Sequence, residues 1–401
     1  MSVSDYEHLA IIAEDLSSFA QKPFDFQQPP RMIFGQDSLD GLGALILEYG
    51  GQGALLVSDP GVAAAGHVAS AVASLEASGI DVFSFEEIDE NPTTRHVENA
   101  TSFARSNRVD CIVGIGGGSA IDTAKGANFL ISNGGKMEDY WGYGKASKPM
   151  LPMIAVPTTA GTGTETQSFA LIVNEETNQK MACGDKKSLC KVVILDPQLT
   201  LSKPARVTAA SGIDAISHVV ESWVSKPRNA ISCMFGAQAW WCLSSAFDSL
   251  ATSPQNLEAR SRMLIGASLA GAAIEHSMLG AAHSCANPLT ARYKTAHGVA
   301  VGVMLPHVVR FNGAECDGLY AELLARGGFQ NLSEQPASAF LADWILGRLE
   351  THGLPTRLSE IGVSTADIPD LALQASKEWT AQFNPRGVTV EDFETLYQTA
   401  L

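Results

Sequence analysis

Positive charge is scarce in this chain. Twenty-seven Lys and Arg against 43 Asp and Glu leave a net charge of −16 over 401 residues. That balance argues against a nucleic-acid backbone or an anionic membrane surface as the natural partner. No uninterrupted apolar run is long enough to span a bilayer, and Met1 does not lead into the basic and then apolar stretch of a secretory signal. The seven cysteines (111, 183, 190, 233, 242, 285 and 316) are odd in number and contain no Cys-x-x-Cys pair. They argue against a disulfide framework and for free thiols in a reducing cytoplasm. With 45% hydrophobic and 17% charged residues, the chain has ample material for a core, and its length favours two domains.

The first half alternates strand and helix patterns. Residues 1–30 end in Gln-Gln-Pro-Pro and form a peripheral lead-in. Arg31–Gly35, Ala54–Ser58 and Asp81–Phe85 are short β-rich runs, with an Ala-rich amphipathic helix over 63–78 and another helix ending near Ser106. Cys111–Gly116 repeats the strand pattern, as do Met153–Pro157 and Lys191–Leu195. Such alternation predicts a parallel sheet covered on both faces. Asp196-Pro197 and Lys203-Pro204 then mark a boundary, giving an α/β, Rossmann-like nucleotide-binding domain over 1–203. From Ala205 strand signals nearly vanish. Helical periodicities over 206–225, 230–252, 255–286, 298–311, 314–326, 336–352 and 370–382 predict an all-α domain over 204–401.

Two loops of the first half carry chemistry. Gly116-Gly117-Gly118 follows a strand, and Ser119-Ala-Ile-Asp122-Thr-Ala-Lys125 opens a helix. Backbone N–H groups exposed there, with the helix dipole, suit a diphosphate, although the pattern is not Gly-x-Gly-x-x-Gly and a tight turn alone would also explain it. Thr158-Thr159-Ala-Gly-Thr162 is a hydroxyl-rich loop after another strand, able to donate to phosphate or ribose, and Lys180 joins these as a cofactor-contact candidate. Asp59 is by itself a turn-forming acid before Pro60-Gly61. Beside the glycine turn it can accept from a ribose and repel a 2′-phosphate, which favours NAD(H) over NADP(H).

In the helical half, Asp214 and His218 are four residues apart and share one helix face, while His283 and His297 flank a helix-ending Pro288. Together they offer one carboxylate and three imidazoles, a shell for a divalent transition metal with a position left for substrate.

These segments, in this order, resemble the iron-containing (group III) alcohol dehydrogenases, within the dehydroquinate synthase-like fold. The matching runs are Gly-Gly-Gly-Ser-Ala-Ile-Asp-Thr-Ala-Lys (116–125), Pro-Thr-Thr-Ala-Gly-Thr-Gly-Thr-Glu (157–165), Asp214…His218…Glu221, and His283…Pro288-Leu…His297-Gly…Leu305-Pro-His-Val. The resemblance implies a metal held by Asp214, His218, His283 and His297, Fe²⁺ being usual and Zn²⁺ the alternative. It further implies hydride transfer between nicotinamide and an alcohol, aldehyde or ketone, in a homodimer or larger assembly. A polyol-phosphate dehydrogenase or a dehydroquinate synthase-like lyase is the alternative on this fold, and it requires a denser set of cationic phosphate ligands.

Two departures from the family pattern stand out. Where relatives carry a histidine four residues after the third ligand, often assigned to proton relay, this chain has Asn287, a substrate-lining position whose amide exchanges no proton at neutral pH. Where relatives often carry Asn, it has His276; on a straight helix His276 and His283 would share a face, so His276 is a candidate for that role and equally a surface histidine beside Glu275. Arg292 and Lys294 precede the fourth ligand. They read either as a solvated pair or as a site for an anionic substrate tail, such as a semialdehyde, keto acid or phosphonate-type aldehyde. Cys285 and His307 are expected to be packed residues rather than further ligands.

Overall fold

The computed structural model describes residues 23–26, 30–177, 179–329 and 335–401. Most of the 1–30 lead-in therefore lies outside the described residues.

Six parallel strands form the main sheet: β1 (Arg31–Phe34), β2 (Gly53–Val57), β3 (Asp81–Phe85), β4 (Cys111–Gly116), β6 (Met153–Pro157) and β9 (Val192–Leu195), in the spatial order β1-β9-β6-β4-β2-β3. The four inner strands are buried along their whole length, as continuous apolar runs require when both faces are covered. Successive residues serve opposite faces. Leu56, Val113 and Val156 pack under α1 (Leu42–Glu48) and α3 (His67–Ala77), while Leu55, Ile112 and Ala155 pack under α4 (Thr94–Arg105) and α5 (Gly118–Asn133). From β2 the chain moves outward to β3, then crosses back to place β4 on the other side of β2. That reversal makes the β2/β4 boundary the topological switch point, where the crevice of such sheets lies. A short helix, α2 (Pro60–Ala64), follows β2 and is capped by Asp59.

Sequence periodicity did not separate out a smaller three-stranded sheet. In it β7 (Phe169–Val173) and β8 (Lys180–Gly184) are antiparallel, and β5 (Gly142–Tyr143) pairs with β8. This unit packs over its own cluster of Val97, Phe129, Ile172 and Met181.

The remainder is helical: α6 (Ala205–Val224), α7 (Ala230–Thr252), α8 (Leu257–Glu275), α9 (Ala281–Tyr293), α10 (His297–Arg326), α11 (Ala337–Thr351), α12 (Ile368–Ala375) and α13 (Val390–Ala400). Four expectations are corrected here. The run 370–382 is not one helix: α12 ends at Ala375, and a separate 3-10 turn covers Trp379–Phe383. The run 255–286 is two helices, because the chain leaves α8 at His276 and restarts after Gly280. Residues 298–311 and 314–326 are one helix, continuous through Asn312-Gly313. Pro288 does not end its helix but lies buried inside α9. An interior proline forfeits a backbone hydrogen bond at a cost of about 3 kcal/mol, so tertiary packing must outweigh local preference there.

Candidate metal and cofactor site

Three helices deliver the four candidate ligands. Asp214 and His218 project from one face of α6, whose residues 212–224 are all buried. His283 sits in the first turn of α9, and His297 is the first residue of α10. Close helix approach sets their positions. A Cβ on Gly298 would lie 1.9 Å from the Ala210 carbonyl oxygen, so only glycine lets α10 start against α6 and bring His297 to Asp214.

The Nε2 atoms of His218, His283 and His297 lie 3.6, 3.8 and 3.9 Å from Asp214 Oδ1. Asp214 Oδ1 and His283 Nε2 are fully buried without a hydrogen-bond partner. Orphaned buried acceptors carry a large desolvation cost unless something satisfies them. One carboxylate oxygen amid three imidazole nitrogens is a donor set that a divalent transition metal satisfies, so the residues fit the group. Donor atoms of Asp214, His283 and His297 lie within 4.8 Å of one another. Three of the four side chains are 4–6% exposed, whereas His297 is 23% exposed, so the cluster opens on the His297 side.

Electrostatics divide the candidate ligands: against its burial, Glu221 and Asp214 raise His283 to about 9, so an ion there would displace a proton, whereas burial pushes His297 well below its ordinary value. Burial alone would raise the Asp214 carboxyl, but the surrounding histidines pull it well below the usual carboxylate range. Burial lowers His218 to about 4, keeping it a neutral donor. Glu221, which sequence reading included in the motif without a role, holds His283. Its Oε2 lies 2.5 Å from His283 Nδ1, and its Oε1 accepts from the Ala282 N–H at 2.7 Å. The carboxylate thereby fixes the ring orientation and directs Nε2 at Asp214. Gly280 makes room for it, since a Cβ there would stand 3.1 Å from Glu221 Oε1. The placement of Glu221 three residues after His218 on the same helix was the available signal.

At the sheet end, Gly117, Gly118 and Ser119 are partly open at the N-terminus of α5. A Cβ on Gly118 would press 2.8 Å from Thr162 Cγ2, and one on Gly116 would meet Asp59 Oδ2 at 3.2 Å. The ends of β2, β4 and β6 thus converge, and a small pocket lined by Thr158, Thr159, Lys203, Thr208 and Arg260 adjoins them. Thr158 Oγ1 is buried without a partner. An exposed helix N-terminus, glycine backbone and unpartnered hydroxyl fit a dinucleotide diphosphate. Asp59 Oδ1 caps α2 through the Val62 N–H, and its second oxygen faces the glycine turn.

Other candidates lie elsewhere. Asp122 accepts from the Thr164 hydroxyl, and Lys125 donates to the carbonyls of Thr164, Gln167 and Phe169, so Lys125 ties α5 to a loop and does not cradle phosphate. Lys180 sits between the two ends, where its charge bears on Asp122, Asp214, Glu378 and His297. The straight-helix premise for His276 fails: it caps α8, its ring stacks on Phe235 and meets Phe26 at a tilt, and it lines a separate pocket with Tyr143 and Lys186. Arg292 lies about half a helical turn around α9 from His283 and is engaged by Asp367 and Asp370, so it is not a free cation beside the ligands. Lys294 is exposed in a left-handed conformation at the end of α9. Cys285 is a buried free thiol, as are the other six cysteines. Among the described residues no helix is long and apolar enough to cross a membrane.

Comparison with known proteins adds to this geometry. Residues 29–197 match the family model for iron-containing alcohol dehydrogenase, and residues 208–401 match its Fe-containing C-terminal counterpart. The chain is 32% identical to the NAD-dependent methanol dehydrogenase of Bacillus methanolicus over 381 residues, covering 94% of this chain and 100% of that protein. It is 34% identical to the 1,3-propanediol dehydrogenase of Citrobacter freundii over 382 residues, covering 94% and 98%. Among solved structures, a 1,3-propanediol oxidoreductase superposes with a TM-score of 0.91 at 32% identity, covering 95% of this chain and all of that one.

Proposed function

Because the chain belongs to the iron-containing alcohol dehydrogenase family, we propose that it interconverts an alcohol and an aldehyde or ketone by hydride transfer with NAD(H), using one divalent metal. The observation that carries this reading is the trio of imidazole nitrogens around the buried, unpartnered Asp214 Oδ1. Asp214, His218, His283 and His297 would hold the ion, Fe²⁺ in the first instance and Zn²⁺ as the alternative. When bound, such an ion supplies Lewis-acid polarisation of a substrate oxygen.

The chain's own residues do the rest. Glu221 orients His283, and burial keeps His218 neutral. The glycine turn and the Thr158–Thr162 loop receive the diphosphate, while Asp59 takes the ribose side and favours NAD(H). Lys180 lies between the cofactor end and the ligands. The domain division at 203/204, a homodimeric or larger assembly and a cytoplasmic setting complete the proposal.

An anionic substrate tail loses the support of Arg292, whose charge is already met by two carboxylates. Among the described residues, Lys180 is the cation whose charge reaches the ligand cluster, which is thin support for a phosphorylated substrate. Short uncharged alcohols and aldehydes are therefore the substrates to try first. The test is NADH formation across a panel of alcohols, with chelator and after restoring Fe²⁺ or Zn²⁺. Chelator-sensitive, metal-restored turnover supports the reading; turnover indifferent to chelator and metal overturns it.

A further inference from the structure

The segment from Glu378 to Asn384 is fastened along one face of α9. Asn384 Oδ1 accepts from the Ala281 N–H at 3.2 Å, Ser284 and Thr380 share a hydrogen bond of 2.7 Å between hydroxyls, and Asn287 Nδ2 donates to Glu378 Oε2 at 2.8 Å. The contact points step along α9 at 281, 284 and 287, so Glu378 is held in register with the helix that carries His283. Exposed Lys377 and Trp379 flank it, and Glu378 itself is half-buried. Its carboxyl thus lies between the interior and solvent.

An alcohol oxidation must release a proton as well as a hydride. The ligands themselves and Glu221 are committed to the metal cage, and the Asn287 amide exchanges no proton at neutral pH. We propose that Glu378, positioned by Asn287, is the group that carries the substrate hydroxyl proton to and from solvent. This inference rests on the dehydrogenase reading above. In oxidation the C–H bond departs with its electron pair as hydride to the nicotinamide, the O–H bond breaks, and its proton reaches the Glu378 carboxylate, which releases it to water. Reduction runs the same transfers backwards.

The surroundings suit this task. Burial pushes the Glu378 carboxyl above its ordinary range, against the opposing hydrogen bond from Asn287 and the charge of Lys180. A base whose affinity is moved toward working pH is the more effective one. The groups facing it are Lys180 from β8, Asn287 from α9 and Tyr397 from α13.

The experiment compares kcat–pH profiles for alcohol oxidation by the metal-loaded wild type, Glu378→Gln and Asn287→Ala, with metal content measured for each. Glu378→Gln keeps an acceptor for Asn287. It should lose the rising acidic limb and at least about tenfold in kcat, with KM and bound metal little changed. Asn287→Ala removes a donor to the carboxylate and should move that limb to higher pH. As a readout independent of turnover, infrared titration of the protonated carboxyl band should lose one component in Glu378→Gln relative to wild type. A Glu378→Gln enzyme that keeps the limb with kcat within about twofold of wild type overturns the inference and leaves the dehydrogenase reading standing. An inactive wild type with metal bound overturns that reading and this inference with it.

Discussion

The two ends of the site are built from different materials. At the sheet end, the proposed cofactor cradle is largely backbone: a glycine turn, an open helix N-terminus and a threonine loop, where the controlling feature is the absence of side chains at Gly116, Gly117 and Gly118. At the helical end the cage is entirely side chains, delivered from three helices and braced by a buried carboxylate. The first should tolerate chemical change and resist added volume. The second should tolerate neither loss of a donor nor loss of its brace.

The largest effect is expected from removing a ligand. His283→Ala or Asp214→Ala should reduce bound metal, measured by elemental analysis, to background and abolish NADH formation, because the remaining donors no longer close the shell. Glu221→Gln should come next. It leaves all four ligands, but its single amide oxygen can accept from only one of His283 Nδ1–H and the Ala282 N–H, so the brace weakens, with a loss of about 10–100-fold in metal affinity or kcat. At the other end, Gly118→Val should act through volume alone. Forced contact with Thr162 costs about 1–3 kcal/mol, and each 1.4 kcal/mol expressed against the cofactor raises the KM for NAD about tenfold while metal content stays intact. If Gly118→Val instead lost metal, the two ends would not be separable in this way.

Two further predictions concern residues outside both ends. His307 is held at about 4, chiefly by burial and further by Arg310. In the unfolded chain it would titrate near the ordinary histidine value, so the unfolded state takes up the proton first as pH falls. Stability should therefore drop between about pH 6.5 and 4, by about 3 kcal/mol at most from this group, and a His307→Phe variant should show a flatter denaturation profile over that window. Smallest of all should be Arg292→Ala. Its partners are partly exposed, so the stability change should stay within about 1 kcal/mol, and KM should shift equally for anionic and neutral substrates. A selective rise for anionic substrates would restore the anionic-tail expectation.

Legibility in the sequence follows the same division. The inner strands and the glycine turn were readable because they are local: four or five apolar residues, then positions that cannot carry a Cβ. The helix over 230–252 was readable for the same reason, opening on the Asn229 cap and closing before Pro254. The candidate ligands were readable as types and spacings, although nothing local showed that Gly298 must touch Ala210. The break after His276 was hidden because Ser277-Met278-Leu279 contains neither proline nor glycine to mark it. It follows from Gly280 being pinned between Glu221 and Asn384, a constraint set far away in the chain. Glu378 carried no signal at all, since its partner Asn287 lies 91 residues earlier and only the folded chain joins them.

The most direct test of the metal-centred account is anomalous diffraction at the iron edge from crystals grown with Fe²⁺ and NAD. It should show one peak about 2.0–2.2 Å from Asp214, His218, His283 and His297 together. An absent peak, or one held by other side chains while these four stay unengaged, would contradict it.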